Sequence, residues 1–322
     1  MRKKFSSLAV LIGLAVGLTG CGIGNDTDGR LDLVAGFYPM AYISEHVGAE
    51  FVDVTTLAPP NTEPHDLELT QKQLTRVADA ELAVYLDGFQ PSLDEAVSSH
   101  NKDRGFDAAA VAPLLDGYTP ATPVSPATPA TSKPDRNDPI DTERNTLAED
   151  GKGKDPHVWL SPIRLADVVQ GLAKRFSEIE PIDGKKFNRN AAKLRGRLQA
   201  LDIEIAAGLE NCQSRTIVVS HNAFGYFAER YNLQQIAITG LSPAVEPSQK
   251  RLAEVSRIAK LSNVNTVFTE PLVNPQAAET VAAQIGATTA TLDPVAVKPS
   301  SGDYFDQMRA NTQTLRTALR CS

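Results

Sequence analysis

"KKFNRNAAKLRGRLQALDIEIAAGLE", residues 185–210, reads as one unbroken helix of about 38 Å at 1.5 Å per residue. That is too long for one small domain and suits a brace between two. The sequence on either side repeats one logic. Upstream, "LDLVAGF" (31–37), "FVDVTTLA" (51–58) and "ELAVYLD" (81–87) read as strands, and "MAYISEHVG" (40–48) and "TQKQLTRVADA" (70–80) read as helices between them. Downstream, the strands are "TIVVS" (216–220), "QQIAIT" (234–239), "TVFTE" (266–270) and "TTATLD" (288–293). Helices "SQKRLAEVSRIAKL" (248–261) and "PQAAETVAAQIG" (275–286) alternate with them, and "YFDQMRANTQTLRTALR" (304–320) closes the chain. Alternation of this kind predicts mostly parallel α/β sheets. The expected architecture is α/β: two doubly wound lobes joined by a long rigid helix, with any ligand site in the cleft between them.

The expected division is a signal peptide at 1–20, a tether at 21–30, an N-terminal lobe at 31–184, the connecting helix at 185–210 and a C-terminal lobe at 211–322. The signal reading rests on Arg2, Lys3 and Lys4 ahead of a short apolar run that ends in small residues. Leu18-Thr19-Gly20-Cys21 resembles a bacterial lipobox, in which the cysteine becomes the lipidated first residue. Cleavage removes three cations and no acid, so the formal charge moves from −7 to −10, which excludes nucleic acid as a partner. No second apolar run is long enough to span a bilayer. Within the N-terminal lobe, residues 119–154 form an insert in which proline recurs at 120, 123, 126, 129, 134 and 139 without any aromatic residue. This composition predicts a disordered spacer whose ends meet.

Ligands of open α/β sheets bind beyond the carboxyl ends of the strands. That rule singles out His65 in "PPNTEPHD", His221 after "TIVVS", Glu270 at the end of "TVFTE" and Asp293 at the end of "TTATLD". His157 joins them from "DPHVWLSP" (155–162), which also holds the chain's single tryptophan. His46, at the end of a helix, and His100, in a polar context, read as ordinary surface residues. Three imidazoles and a carboxylate make a four-ligand set suited to zinc. Glu270 is expected to orient a ligating imidazole through its second N–H. Cys212 and Cys321, the remaining cysteines of an exported chain, read as a disulfide. A zinc-dependent hydrolase is the main rival reading, but four ligands would close the coordination shell, and H-E-x-x-H, G-x-S-x-G and Gly-rich phosphate motifs are missing from the sequence. A surface adhesin is the other.

"VAGFYPMAYISEHVG", "PPNTEPHDLELTQKQL", "DPHVWLSP", "SHNAFGYFAERYNL" and "VFTEPLVNPQAAETVAAQIGATTATLDP" together resemble the zinc and manganese substrate-binding lipoproteins of bacterial ABC importers, the cluster 9 or cluster A-I group. The resemblance implies two α/β lobes on a rigid helix. It further implies a site of His65, His157, His221 and Asp293, zinc carried as transported ligand, and an ABC permease as partner. Such a protein is a monomer held by its lipid anchor at the outer face of the cytoplasmic membrane. Manganese-binding members carry Glu where this chain has His221, so the resemblance leans to zinc, with a manganese carrier as the alternative. Zinc-binding members often have a His-rich acidic loop before "DPHVW". Here that loop has acids but no histidine.

Overall fold

A computed structural model describes residues 29–116 and 153–322. The expected signal peptide, the Cys21 anchor and most of the insert lie outside the described residues. The first half begins with strand β1 (Leu31–Ala35), every residue of which is buried. Helix α1 (Tyr38–Gly48), strand β2 (Val52–Thr56), helix α2 (Gln71–Asp79), strand β3 (Leu82–Tyr85), helix α3 (Pro91–His100) and strand β4 (Gly105–Asp107) follow. All strand pairings are parallel, in the order β2-β1-β3-β4. Helix α2 starts sharply because Thr70 and Gln73 cap each other's backbone N–H.

Alternation along β1 shows that the sheet is wound on both faces. Leu31, Leu33 and Ala35 enter one core with α1, whereas Val34 enters another with Val77 of α2 and with Leu93, Ala96 and Val97 of α3.

Helices α4 (Pro162–Ile179) and α5 (Gly184–Gly208) come next. The second half then places strand β5 (Thr216–Val219), helix α6 (Gly225–Arg230), strand β6 (Gln234–Ala237), helix α7 (Gln249–Leu261), strand β7 (Thr266–Thr269), helix α8 (Gln276–Ile285), strand β8 (Thr288–Thr291) and helix α9 (Tyr304–Leu319). Its strand order, β6-β5-β7-β8, repeats the topology of the first sheet. Here Val218, Ile236 and Val267 face α7 and α8, and Ile217, Val219 and Phe268 face the larger core.

That larger core is continuous between the halves, and α5 runs through it. Phe187, Ala191, Leu194, Leu198, Leu201 and Ile205, spaced three or four apart, form its buried stripe. Its polar side is pinned to α9: Arg197 lies 4.0 Å over the Phe305 ring and 3.5 Å from Asp303, and Glu204 meets Arg309 at 3.0 Å. Asp303 also accepts the Tyr42 hydroxyl of α1 at 2.7 Å, so one carboxylate links α1, α5 and α9.

The two ends of the insert meet. Lys154 Nζ pairs with Asp116 at 2.6 Å, and Asp155 N–H donates to the Leu115 carbonyl at 2.9 Å. The Tyr226 hydroxyl ties both ends, accepting from Leu115 N–H at 2.8 Å and donating to the Asp155 carbonyl at 2.7 Å.

Cys212 and Cys321 are joined in a disulfide that fastens the end of α9 to the chain just past α5. The bond closes 109 residues of sequence, so it removes much freedom from the unfolded chain. Cys212→Ser with Cys321→Ser is expected to lower unfolding free energy by roughly 2–5 kcal/mol. Denaturant unfolding under non-reducing conditions checks this, and a variant as stable as the parent would contradict it.

Candidate metal centre

His221 and Glu270 are set by their places at strand ends. Parallel pairing aligns Val219 of β5 with Phe268 of β7, so the residues that follow the two strands are neighbours. His221 and Glu270 therefore meet. The Glu270 carboxylate accepts from the backbone N–H of His221 at 3.1 Å and from its Nδ1 at 2.8 Å. Both side chains are buried.

His157 lies in the chain that leaves the insert, just before the short turn Val158–Leu160. Asp155, two residues earlier, accepts both the backbone N–H of His157 at 2.9 Å and its Nδ1 at 2.8 Å. The same segment is fastened by Trp159, which is fully buried and donates Nε1–H to the Pro294 carbonyl at 2.7 Å, while Tyr304 donates to the Trp159 carbonyl at 2.6 Å. Phe37 and Phe89 pack on the indole with ring centres 4.7 and 5.1 Å away. Val295 takes a left-handed φ of 55°, unusual for a β-branched residue, and its N–H is held by Asp293 Oδ1 at 2.7 Å. The strained turn aims the Pro294 carbonyl at the indole.

His65 arrives from the long connection after β2, in the single turn Pro64–Asp66. Gln90 holds that turn by donating to the Pro64 carbonyl at 3.1 Å, and Phe89 packs edge-on against the imidazole, 4.5 Å between ring centres. Glu63 accepts the His65 backbone N–H at 3.4 Å.

The three imidazoles converge on one point. His157 Nε2 lies 3.1 Å from His65 Nε2 and 3.3 Å from His221 Nε2, and the three ligand nitrogens lie within 4.8 Å of one another. Nitrogens bound tetrahedrally at 2.0–2.1 Å stand about 3.3 Å apart, and the two spacings from His157 are close to that value. An ionised carboxylate can only accept, so an Nδ1 facing one carries its hydrogen, and when that ring is neutral its inward Nε2 carries the lone pair.

Among the described residues no other histidine, cysteine, aspartate or glutamate belongs to this ligand group, so Asp293 stands outside it. Asp293 instead lines the adjoining cavity with Glu63, Glu270, Pro271, Leu272 and Val273. The space within is about 10 Å³, room for about one water or ion. Asn311 fixes its backbone on both sides, accepting from Asp293 N–H at 3.1 Å and donating to its carbonyl at 2.6 Å. Glu63 and Asp155 are carboxylates beside the imidazoles that strand-end reasoning passes over, although each sits two residues before a histidine in the motifs quoted above.

The electrostatics separate the three rings. Burial, reinforced by the neighbouring rings, pushes the His65 imidazole down to about 2 and holds His157 well below the ordinary histidine range. Burial also opposes charge on His221, but the Glu270 carboxylate beside it prevails and raises it above that range. Burial pushes Asp155 up to about 7 against the His157 N–H bond, and raises Glu63 and Asp293 as well. Two rings are thus neutral at physiological pH, and any proton on the trio resides on His221.

The sequence matches the family model "Zinc-uptake complex component A periplasmic" over residues 33–318. The zinc-binding protein AdcA of Streptococcus pyogenes serotype M6 is 31% identical over 296 residues, which cover 90% of this chain and 56% of AdcA. The chain thus spans about half the length of that relative. The high-affinity zinc uptake system protein ZnuA of Bacillus subtilis is 28% identical and is matched over 99% of both chains. Among solved structures, Zn(II)-bound AdcA of Streptococcus pneumoniae superposes with a TM-score of 0.71 at 27% identity, over 90% of this chain and 58% of that one.

A zinc ion received by the trio would displace a proton from His221, whose range is raised, but none from His65 or His157, which are held neutral. Affinity is therefore expected to fall as pH drops below the raised His221 range, about tenfold per pH unit for one proton, and to level off above it. Zinc competition titrations across pH 5.5–8.5 check the slope. A slope of three protons would contradict the assignment of charge to His221 alone.

Proposed function

Because this chain belongs to the zinc-uptake complex component A family, we propose that it is the extracytoplasmic zinc-binding protein of a zinc importer. It captures Zn(II) in the cleft between its two lobes and delivers the ion to an ABC permease. Lipidation at Cys21 would hold it as a monomer at the outer face of the cytoplasmic membrane. Among the described residues no helix is long and apolar enough to cross a membrane.

The observation that carries the reading is the inward convergence of three imidazole nitrogens at 3.1 and 3.3 Å, two of them backed by buried carboxylates. Neutral nitrogen donors at tetrahedral spacing favour zinc over manganese, which prefers oxygen. Asp293, on the wall of the adjoining cavity, supplies the fourth donor as the cleft tightens on the ion; its Oδ1 is engaged by Val295 N–H, and Oδ2 is the oxygen it offers. Three imidazoles and one carboxylate leave a charge of +1 on the bound ion. Glu270 steadies the His221 ring from behind, as a carboxylate behind a metal-bound histidine does.

Calorimetric zinc titration of single variants tests the ligand set. His65→Ala, His157→Ala and His221→Ala should each lose more affinity than the roughly 10–100-fold typical of removing a group behind a ligand. Asp293→Ala should lose less than any of the three, because water can replace its oxygen. Parental affinity in any of the histidine variants would remove that residue from the site. His221→Glu exchanges nitrogen for oxygen and should raise manganese affinity relative to zinc. An unchanged ratio in competition titration would contradict the nitrogen-based selectivity.

A further inference from the structure

Behind His157 the Asp155 side chain has one oxygen for the imidazole and another for a wall. Oδ1 serves both the backbone N–H and Nδ1 of His157, at 2.9 and 2.8 Å. Oδ2 points the other way, to Gly225, the first residue of α6 in the second half of the chain. A Cβ built at Gly225 would lie 2.6 Å from Oδ2, nearer than any real Cβ contact, and the carboxylate carbon would be 3.8 Å away. Asp155 is only 3% exposed and its carbonyl is held by the next residue of α6, Tyr226, at 2.7 Å. The carboxylate cannot retreat from a new Cβ without letting go of the histidine.

Gly225 shows no left-handed φ that would demand glycine for the backbone's sake. The reason for its missing side chain is therefore the space that Asp155 fills.

We propose that Gly225 and Asp155 act together as positioning residues for His157, so that the second half of the chain, which carries His221, also sets the aim of the ligand contributed by the first. This rests on the reading of the three histidines as zinc ligands. On this account Glu270 and Asp155 do equivalent work for the two buried rings. Glu270 reaches His221 across the β5–β7 pair, and Asp155 reaches His157 from a seat that α6 shapes.

The test is a double-mutant cycle on the purified chain, with zinc affinity measured by competition and apo stability by thermal melting. Asp155→Ala is expected to weaken zinc binding about 10–100-fold, the usual range for such partners. Asp155→Asn, which keeps an accepting oxygen, should recover most of the loss. Gly225→Ala should weaken binding about tenfold, at the lower end of that range, with the fold intact by circular dichroism. In the double variant Gly225→Ala/Asp155→Ala the losses should not add, because with the carboxylate gone the new methyl group has nothing to displace. The d–d absorption of the Co(II)-loaded chain should shift in Gly225→Ala, reporting altered ligand geometry. Parental affinity in Gly225→Ala, losses that add in the double variant, or an Asp155→Asn variant as weak as Asp155→Ala would each overturn the proposal. Failure of the unmodified chain to bind zinc would instead overturn the reading of the site on which it rests.

Discussion

Everything at the site follows from holding three imidazole nitrogens close together in a dry place. His157 stands between the other two, 3.1 Å from His65 Nε2 and 3.3 Å from His221 Nε2, with 1% of its surface exposed. Rings so near one another cannot all be charged, and burial penalises even one charge. The fold resolves this by supplying a carboxylate where charge is accepted, Glu270 behind His221, and by leaving His65 and His157 neutral. A cluster of this kind is poor for proton storage and good for a divalent cation, which provides the positive charge the lone pairs face.

The scaffold is arranged to keep that cluster in register. His157 follows a proline-rich insert, yet the Tyr226 hydroxyl, the Asp116–Lys154 pair and the Leu115 carbonyl reunite the two ends before the histidine is reached. Trp159 then locks the following turn, because its indole N–H finds the Pro294 carbonyl and its ring makes edge-type contacts with Phe37 and Phe89. The single tryptophan thus joins the two halves of the chain at the place where they share the site. Helix α5 provides the longer-range brace, with its apolar stripe in the common core and its Arg197 and Glu204 on α9.

Much of this was legible in the sequence. Short apolar runs such as "LDLVA" and "TIVV" mark strands, and the rule that ligands gather beyond strand ends points to His221 and Glu270, which meet, and to Asp293, which lies outside the group of three imidazoles. Helix α3 escaped because "PSLDEAVSSH" buries only Leu93, Ala96 and Val97 and otherwise looks like a polar loop. Helix α6 escaped because six residues opening on glycine carry no periodic signal. Distances were beyond reach: residues 65, 157 and 221 meet only through the packing of both sheets. Asp155 and Glu63 were hidden for another reason. A carboxylate two residues before a histidine is locally a turn-former, and only the ring's orientation shows that Asp155 Oδ1 faces Nδ1.

Whether the three inward-facing imidazole nitrogens receive the ion can be read from zinc K-edge X-ray absorption on the zinc-loaded chain. The expected spectrum shows a low-coordinate shell with three imidazoles at about 2.0–2.1 Å, identified by their outer-ring scattering, and one oxygen. A shell with fewer than three imidazoles, or one containing sulfur, would contradict it.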